Sequence, residues 1–365
     1  MSVLPETMTA LHLVGNGAPE MLVLRHDVPV PVPTGDEVLV RVRACGMNNT
    51  DVNTRVGWYS KSVTAATGST GFGLEAGEDG TWGGGGLTFP RIQGADPCGE
   101  VVAVGTAVDP GLIGRRVLAD GWVRDPDDPA DRSKAGYLGS ERDGGYAQFC
   151  AIPARNVYPI ESDLTDVELA SFPCSWATAE HMLTRPALCA GETVVVTGAS
   201  GGVGSALVQL AKLRGARVVA VTSAAKFADV MACGADLCVD RASIDLAGAV
   251  TEAAGGPVDV LADVVGGADF APLLEVVRRG GRYTTAGAIA GPIVDLDLRT
   301  LYLNDLELYG CTVYEPAVFE ALVGYLERGV LRPVVAASWP LADFAAAQEA
   351  FVAKAHTGAM VITID

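Results

Sequence analysis

The sequence predicts an α/β fold in two parts, one β-rich and one built on a doubly wound parallel sheet. Three observations carry that expectation. Beyond about residue 157, short apolar β-branched runs alternate with helix-patterned segments, the rhythm of strand–helix–strand units. A glycine-rich turn, Ala199-Ser200-Gly201-Gly202-Val203-Gly204, falls between the first clear run and the first helix of that region. Before residue 157 the rhythm is missing, and short apolar stretches bounded by Gly or Pro read as strands.

Residues 38–42 alternate as a strand after the turn residues Thr34-Gly35-Asp36, and 101–104 and 117–119 read as further strands. Two stretches interrupt this part. Residues 67–86 are Gly-rich and end in four consecutive glycines, and 124–143 are polar, with Asp-Pro-Asp-Asp-Pro inside. Loops of that length are usually lids, contact arms or disordered segments. In the second part, 193–197 is the first strand. The helix after it carries Val203, Ala206, Leu207, Leu210 and Ala211 on one face and stops at Gly215. Residues 217–222 form a second strand and 227–233 a short helix closed by Gly234; 237–239, 258–263 and 282–285 are later strands. From about 312 to 365 the pattern returns to mixed structure, and no internal repeat is visible.

A chain of 365 residues has room for two domains, and 49% hydrophobic against 19% charged residues is a folding composition. A net charge of −18 argues against nucleic-acid binding and leaves no polybasic anchor for a membrane. Residues 1–15 lack a basic segment followed by an apolar run, and no stretch nears the ~20 apolar residues of a membrane helix. A cytoplasmic protein is expected. Eight scattered cysteines without a Cys-x-x-Cys pair read as reduced, mostly buried thiols.

The glycine turn has the form of a dinucleotide fingerprint with Ala199 at its first glycine position. Its small residues let the backbone approach a pyrophosphate, and the helix start offers N–H groups and a positive dipole end. Ala199, Ser200, Gly201, Gly202 and Val203 are therefore the expected phosphate cradle. An NADH site places an acid at the end of the second strand. Here the strand ends Val221-Thr222-Ser223-Ala224-Ala225-Lys226, with no acid. Ser223 and Lys226 point instead to the extra phosphate of NADPH, although Lys226 also reads as a solvated lysine at a helix start.

Four segments together resemble the medium-chain dehydrogenase/reductases, especially their quinone oxidoreductase and enoyl reductase branches. They are 44–51 (Ala-Cys-Gly-Met-Asn-Asn-Thr-Asp), 94–100 (Gly-Ala-Asp-Pro-Cys-Gly-Glu), 173–178 (Pro-Cys-Ser-Trp-Ala-Thr) and the glycine turn. The resemblance implies a GroES-like catalytic domain from residues 1–156 and 312–365, and a Rossmann NADP-binding domain over 157–311. It also implies a homodimer joined through an edge strand near 306–312.

Zinc-dependent members of that family hold a catalytic metal on a cysteine, a Gly-His-Glu and a second cysteine. Asn48 stands at the first cysteine, Ala95 at the histidine and Asp96 at the glutamate, while Cys174 matches the later cysteine. No cysteine occurs over 121–143, where the family's structural zinc lobe would lie. The resemblance thus implies a metal-independent member. It places Asn48 and Thr178 beside the nicotinamide, Arg241 and Lys354 near the adenosine phosphate, and Gly287, Ala288 and Gly310 on turns bordering the nicotinamide. Cys174 lines the cleft or is an inert core thiol; Asp51 belongs to the motif or simply caps a helix. Tyr59 falls where enoyl thioester reductases carry a proton-donating tyrosine, which also reads as cleft wall. The implied activity is NADPH-dependent hydride transfer to a quinone or activated alkene, with Tyr59 and Asn48 as catalytic residues. A zinc-free carbonyl reductase or alcohol dehydrogenase-like enzyme, or a non-catalytic NADPH-binding dimer, stays open. Residues 60–91 form a long insertion that leaves the substrate pocket without precedent.

Overall fold

The computed structural model describes residues 4–67, 80, 81, 83 and 85–365, so most of the expected 67–86 loop lies outside the described residues. Among these residues, two large sheets divide the chain. Strand order across the first is Val157–Pro159, Arg116–Ala119, Asp96–Val104, Glu37–Met47, Ala359–Thr363 and Val335–Pro340, with Phe149–Pro153 also pairing Glu37–Met47. The strand foreseen at 38–42 is thus eleven residues long. It is central because Val38, Leu39, Val40, Val42, Ala44 and Cys45 all find cover and are buried. Its partner Ala359–Thr363 sets Thr363 against Ala44 and Met360 against Met47, so one sheet combines distant parts of the chain.

The second sheet is wholly parallel. Its strands in chain order are Thr193–Val196, Arg217–Thr222, Leu237–Asp240, Val258–Asp263, Val277–Thr285 and Glu307–Gly310. Across the sheet they run third, second, first, fourth, fifth, sixth. Val194, Val195, Val196, Val218 and Val219 are buried, as strands covered on both faces by crossover helices must be. The order reverses between the first and fourth strands, and the crevice beyond the carboxyl ends at such a switch point is where sheets of this kind take their ligands.

Two boundaries differ from expectation. Val157–Pro159 pairs with Arg116–Ala119, so these residues belong to the first sheet although the second domain was expected to begin at 157. A β-branched and aromatic strand looks alike on either side of a domain junction. The strand expected at 282–285 starts at Val277, running through Arg278-Arg279-Gly280-Gly281, which carries no apolar signal. Among the described residues, no helix is long and apolar enough to cross a membrane.

Candidate active site

The glycine turn leaves the Thr193–Val196 strand and opens the Gly202–Leu213 helix, so the helix N–H groups face the switch-point crevice. A Cβ on Gly204 would lie 2.1 Å from the Gly198 oxygen and 2.6 Å from the Ala199 Cα, so strand and helix meet too closely for any side chain. A Cβ on Gly202 would lie 2.7 Å from Ser175 Oγ, and one on Gly201 would meet nothing nearer than 3.5 Å. Gly201 is exposed, Ser200 and Val203 are half-buried, and Ala199 is buried. Such a cradle fits a dinucleotide pyrophosphate.

Across the crevice, Asn48 precedes the Asn49–Val56 helix and is buried. Its Nδ2 donates to Asp96 Oδ2 at 2.9 Å, and its Oδ1 accepts from Ser175 Oγ at 3.1 Å. Asp96 Oδ1 accepts the Cys174 N–H at 2.9 Å. One amide hydrogen of Asn48 is left for another partner. Asp51 accepts from the Asn48 N–H and from Tyr146 Oη, each at 2.8 Å, which is its helix-capping role. Burial raises Asp51 to about 6 and Asp96 to about 8, against the opposing pull of their hydrogen bonds.

Tyr59 follows the same helix, half-buried and edge-on to Trp58 with ring centroids 5.7 Å apart. Burial pushes its phenol well above the ordinary value, against hydrogen bonds with Thr50 and Asn53, and the charges of Cys174 and Asp51 push the same way. The hydroxyl is a proton-bearing donor at neutral pH. Cys174, on the first turn of the Pro173–Thr184 helix, hydrogen-bonds Tyr137 and Thr178, and burial and then Asp96 hold its thiol protonated. Thr178 therefore sits one turn below Cys174. Tyr137 and Ser175 were not foreseen as site residues. Ser175 lay inside the recognised 173–178 segment, but Tyr137 lies in the polar 124–143 loop, where only its being aromatic marked it. It is buried against Trp122, with ring centroids 4.6 Å apart.

Where the resemblance puts the adenosine phosphate, Ser223 is half-buried just past the second strand and Arg241 is exposed. Lys226 does not project into solvent. Its Nζ donates to the carbonyl oxygens of Lys354 at 2.8 Å and His356 at 2.5 Å. Lys354 Nζ in turn donates to Asn49 Oδ1 at 2.7 Å. Gly287 and Ala288 follow the fifth strand: Thr285 Oγ1 donates to the Gly287 oxygen at 3.1 Å, and Gly291 N–H to the Ala288 oxygen at 3.0 Å. Beside them, Thr67 N–H donates to the Ile289 oxygen at 3.0 Å, so the base of the insertion is tied to the turn after the fifth strand. Gly310 ends the edge strand, where its oxygen accepts from Arg185.

These residues do not fit a catalytic zinc. Asn48 and Ala95 supply no strong ligand, and both oxygens of Asp96 already accept N–H bonds from the protein. Among the described residues, no three His, Cys, Asp or Glu side chains gather in a way that could hold a metal ion.

Residues 34–162 match the alcohol dehydrogenase GroES-like domain family, and residues 202–328 match the zinc-binding dehydrogenase family. A putative alcohol dehydrogenase from Sinorhizobium meliloti 1021 has a solved structure 49% identical, with a TM-score of 0.89, covering 99% of this chain and 98% of its own. The quinone oxidoreductase of Mus musculus is 26% identical over 98% of each chain. The structure of a 2-octenoyl-CoA carboxylase reductase in complex with NADP and 2-octenoyl-CoA is 27% identical, with a TM-score of 0.85, covering all of this chain and 89% of its own. Two domains, a switch-point cradle and these matches define an oxidoreductase of the dinucleotide-binding type. This chain belongs to the medium-chain dehydrogenase/reductase superfamily.

Proposed function

We propose that the protein is an NADPH-dependent, zinc-independent reductase that adds a hydride and a proton across an activated alkene or quinone-like acceptor. The observation that carries this reading is the hydrogen-bonded Asn48–Asp96–Ser175 network where zinc-dependent relatives keep their metal. Polarisation of a substrate carbonyl then falls to hydrogen-bond donors. With its pyrophosphate in the glycine cradle, a bound NADPH would supply the hydride from its nicotinamide. Asn48 offers its remaining amide hydrogen to the carbonyl oxygen on which negative charge develops. Tyr59, protonated at neutral pH, gives its proton to the carbon next to that carbonyl and takes another from solvent afterwards. The absence of an acid after Thr222 and the nearby Ser223, Lys226 and Arg241 favour NADPH. The relatives that act on quinones and enoyl thioesters bracket the acceptor class.

NADPH oxidation should be followed with a panel of quinones, enones and enoyl thioesters, before and after chelator washing. Turnover of at least one class, undiminished by the chelator, is the expected result. No turnover with any acceptor, or stoichiometric zinc whose removal abolishes activity, would overturn the proposal.

A further inference from the structure

The segment joining the Phe344–Val352 helix to the Ala359–Thr363 strand begins and ends in the first sheet's domain and lies against the second sheet's domain in between. It is held at four points. Lys226 Nζ donates to the carbonyl oxygens of Lys354 and His356. Thr357 Oγ1 donates to Asp229 Oδ2 at 2.8 Å. Gly358 N–H donates to the Ser200 oxygen at 2.8 Å, inside the glycine cradle. Lys354 Nζ donates to Asn49 Oδ1, the residue after Asn48, while lying 3.5 Å from the Phe351 ring centroid. Two backbone features show that the path is enforced. Lys354 has φ +51°, a conformation that a lysine keeps only where its surroundings hold it. Gly358 has φ +84°, and a Cβ there would sit 2.1 Å from the Val334 oxygen.

The charges here are lopsided. Lys226, Arg241 and Lys354 crowd one place, beside the uncharged imidazole of His356, on a chain whose net charge is −18, with Asp229 as the nearby carboxylate. Burial first, and then Arg241, lowers Lys226; burial and then Lys354 and Lys226 lower His356 to about 4. An anion would relieve that crowding. An ammonium has three hydrogens, and two of those on Lys226 are already directed at the strap.

We propose that the 354–358 segment is a strap through which the adenosine end of the nucleotide site sets the Asn48 helix, with Lys354 as its positioning residue. The phosphate takes the third hydrogen of Lys226, fixing the ammonium that grips the strap. Lys354 carries that order to Asn49 and so to the amide of Asn48. This rests on the nucleotide-binding reading above, and it makes the half of the cofactor without redox chemistry organise the catalytic side of the crevice.

Hydrogen exchange of the whole protein tests both steps. In the ligand-free protein, Lys226→Met should raise exchange over 354–358 at least tenfold; unchanged exchange would overturn the clasp irrespective of cofactor. In the wild type, adenosine 2′,5′-bisphosphate should slow exchange in the strap and in the Asn49–Val56 helix at least threefold, whereas 5′-AMP should not. Lys354→Met should retain protection of the strap and lose it in the helix, and Lys354→Arg should restore it. Protection confined to the glycine cradle would leave nucleotide binding standing and overturn the coupling. No protection anywhere by either nucleotide would overturn the nucleotide reading and the coupling with it.

Discussion

Replacing Gly201, Gly202 and Gly204 by alanine, one at a time, separates three roles packed into four residues. At Gly204 the new methyl would start 2.1 Å from a backbone oxygen, and helix and strand would have to part by more than about 1 Å to restore ordinary contact. Overpacking of this kind costs ~1–3 kcal/mol, and neighbouring backbone that cannot rotate away puts Gly204→Ala at the upper end. The helix gains ~0.5–1 kcal/mol from losing a glycine, so a net loss of about 2 kcal/mol remains. For a domain of this size that is a drop of about 4–8 °C in Tm, with loss of dinucleotide binding. At Gly202 the obstacle is the Ser175 hydroxyl, 2.7 Å away and free to rotate. Stability should change by less than ~1 kcal/mol, but Asn48 Oδ1 loses its donor, so kcat should fall more than dinucleotide affinity. At Gly201 nothing lies within 3.4 Å, so Tm should hold while affinity for the dinucleotide falls. Scanning calorimetry and fluorescence titration on the three variants give the ranking. A Gly204→Ala protein with wild-type Tm and affinity, or Gly201→Ala as the least stable variant, would refute the reasoning.

Four further outcomes are expected. NADPH should bind at least tenfold tighter than NADH, ~1.4 kcal/mol, and Arg241→Ala should narrow the gap; equal affinities in a titration would defeat the NADPH assignment. Tyr59→Phe should lower kcat on an enone or enoyl thioester by roughly 10²–10⁴-fold while sparing quinones, whose reduced anions take a proton from water; full alkene activity would remove Tyr59 from the mechanism. Because burial raises Asp96 to about 8, its contribution to stability is fully present below the unfolded value near 4 and is lost as pH rises towards 8. The Tm difference between wild type and Asp96→Asn should therefore move in the variant's favour across that window; a difference independent of pH would count against a raised Asp96. Finally, Glu307–Gly310 is an edge strand beside exposed Leu298, Tyr302, Leu303 and Leu308, which suits pairing with a second copy. Light scattering should report a dimer at micromolar concentration, and a monomer would refute it.

Much of the second sheet was legible because buried parallel strands are near-continuous runs of Val, Ala and Leu, as at Val258–Asp263. Val277–Thr285 was half hidden, since its first residues are held by register and neighbours and not by hydrophobicity. The candidate site was legible where residue type alone carries meaning, as with the glycines and the missing histidine at Ala95. It was not legible where the meaning lies in a contact across the chain. Ser175 matters because Asn48 lies 127 positions away in sequence and 3.1 Å away in space. Lys226 read as a cation waiting for phosphate, yet two of its hydrogens already hold backbone oxygens 128 and 130 residues onward.

The pairing of Glu37–Met47 with Ala359–Thr363 also governs how the chain comes into being on the ribosome. The six parallel strands lie within 193–310 and can assemble from one continuous stretch of nascent chain. The other sheet cannot close until residue 363 has been made. Roughly 300 residues separate the partners, which is on the order of 15–60 s of synthesis at ~5–20 residues per second. Throughout that interval the 44–47 end of a hydrophobic strand lacks its neighbour, an open invitation to another nascent chain. The two domains therefore ripen out of sequence order. The later-encoded parallel sheet has all its strands first, and the sheet begun by the earlier residues is the last to be completed.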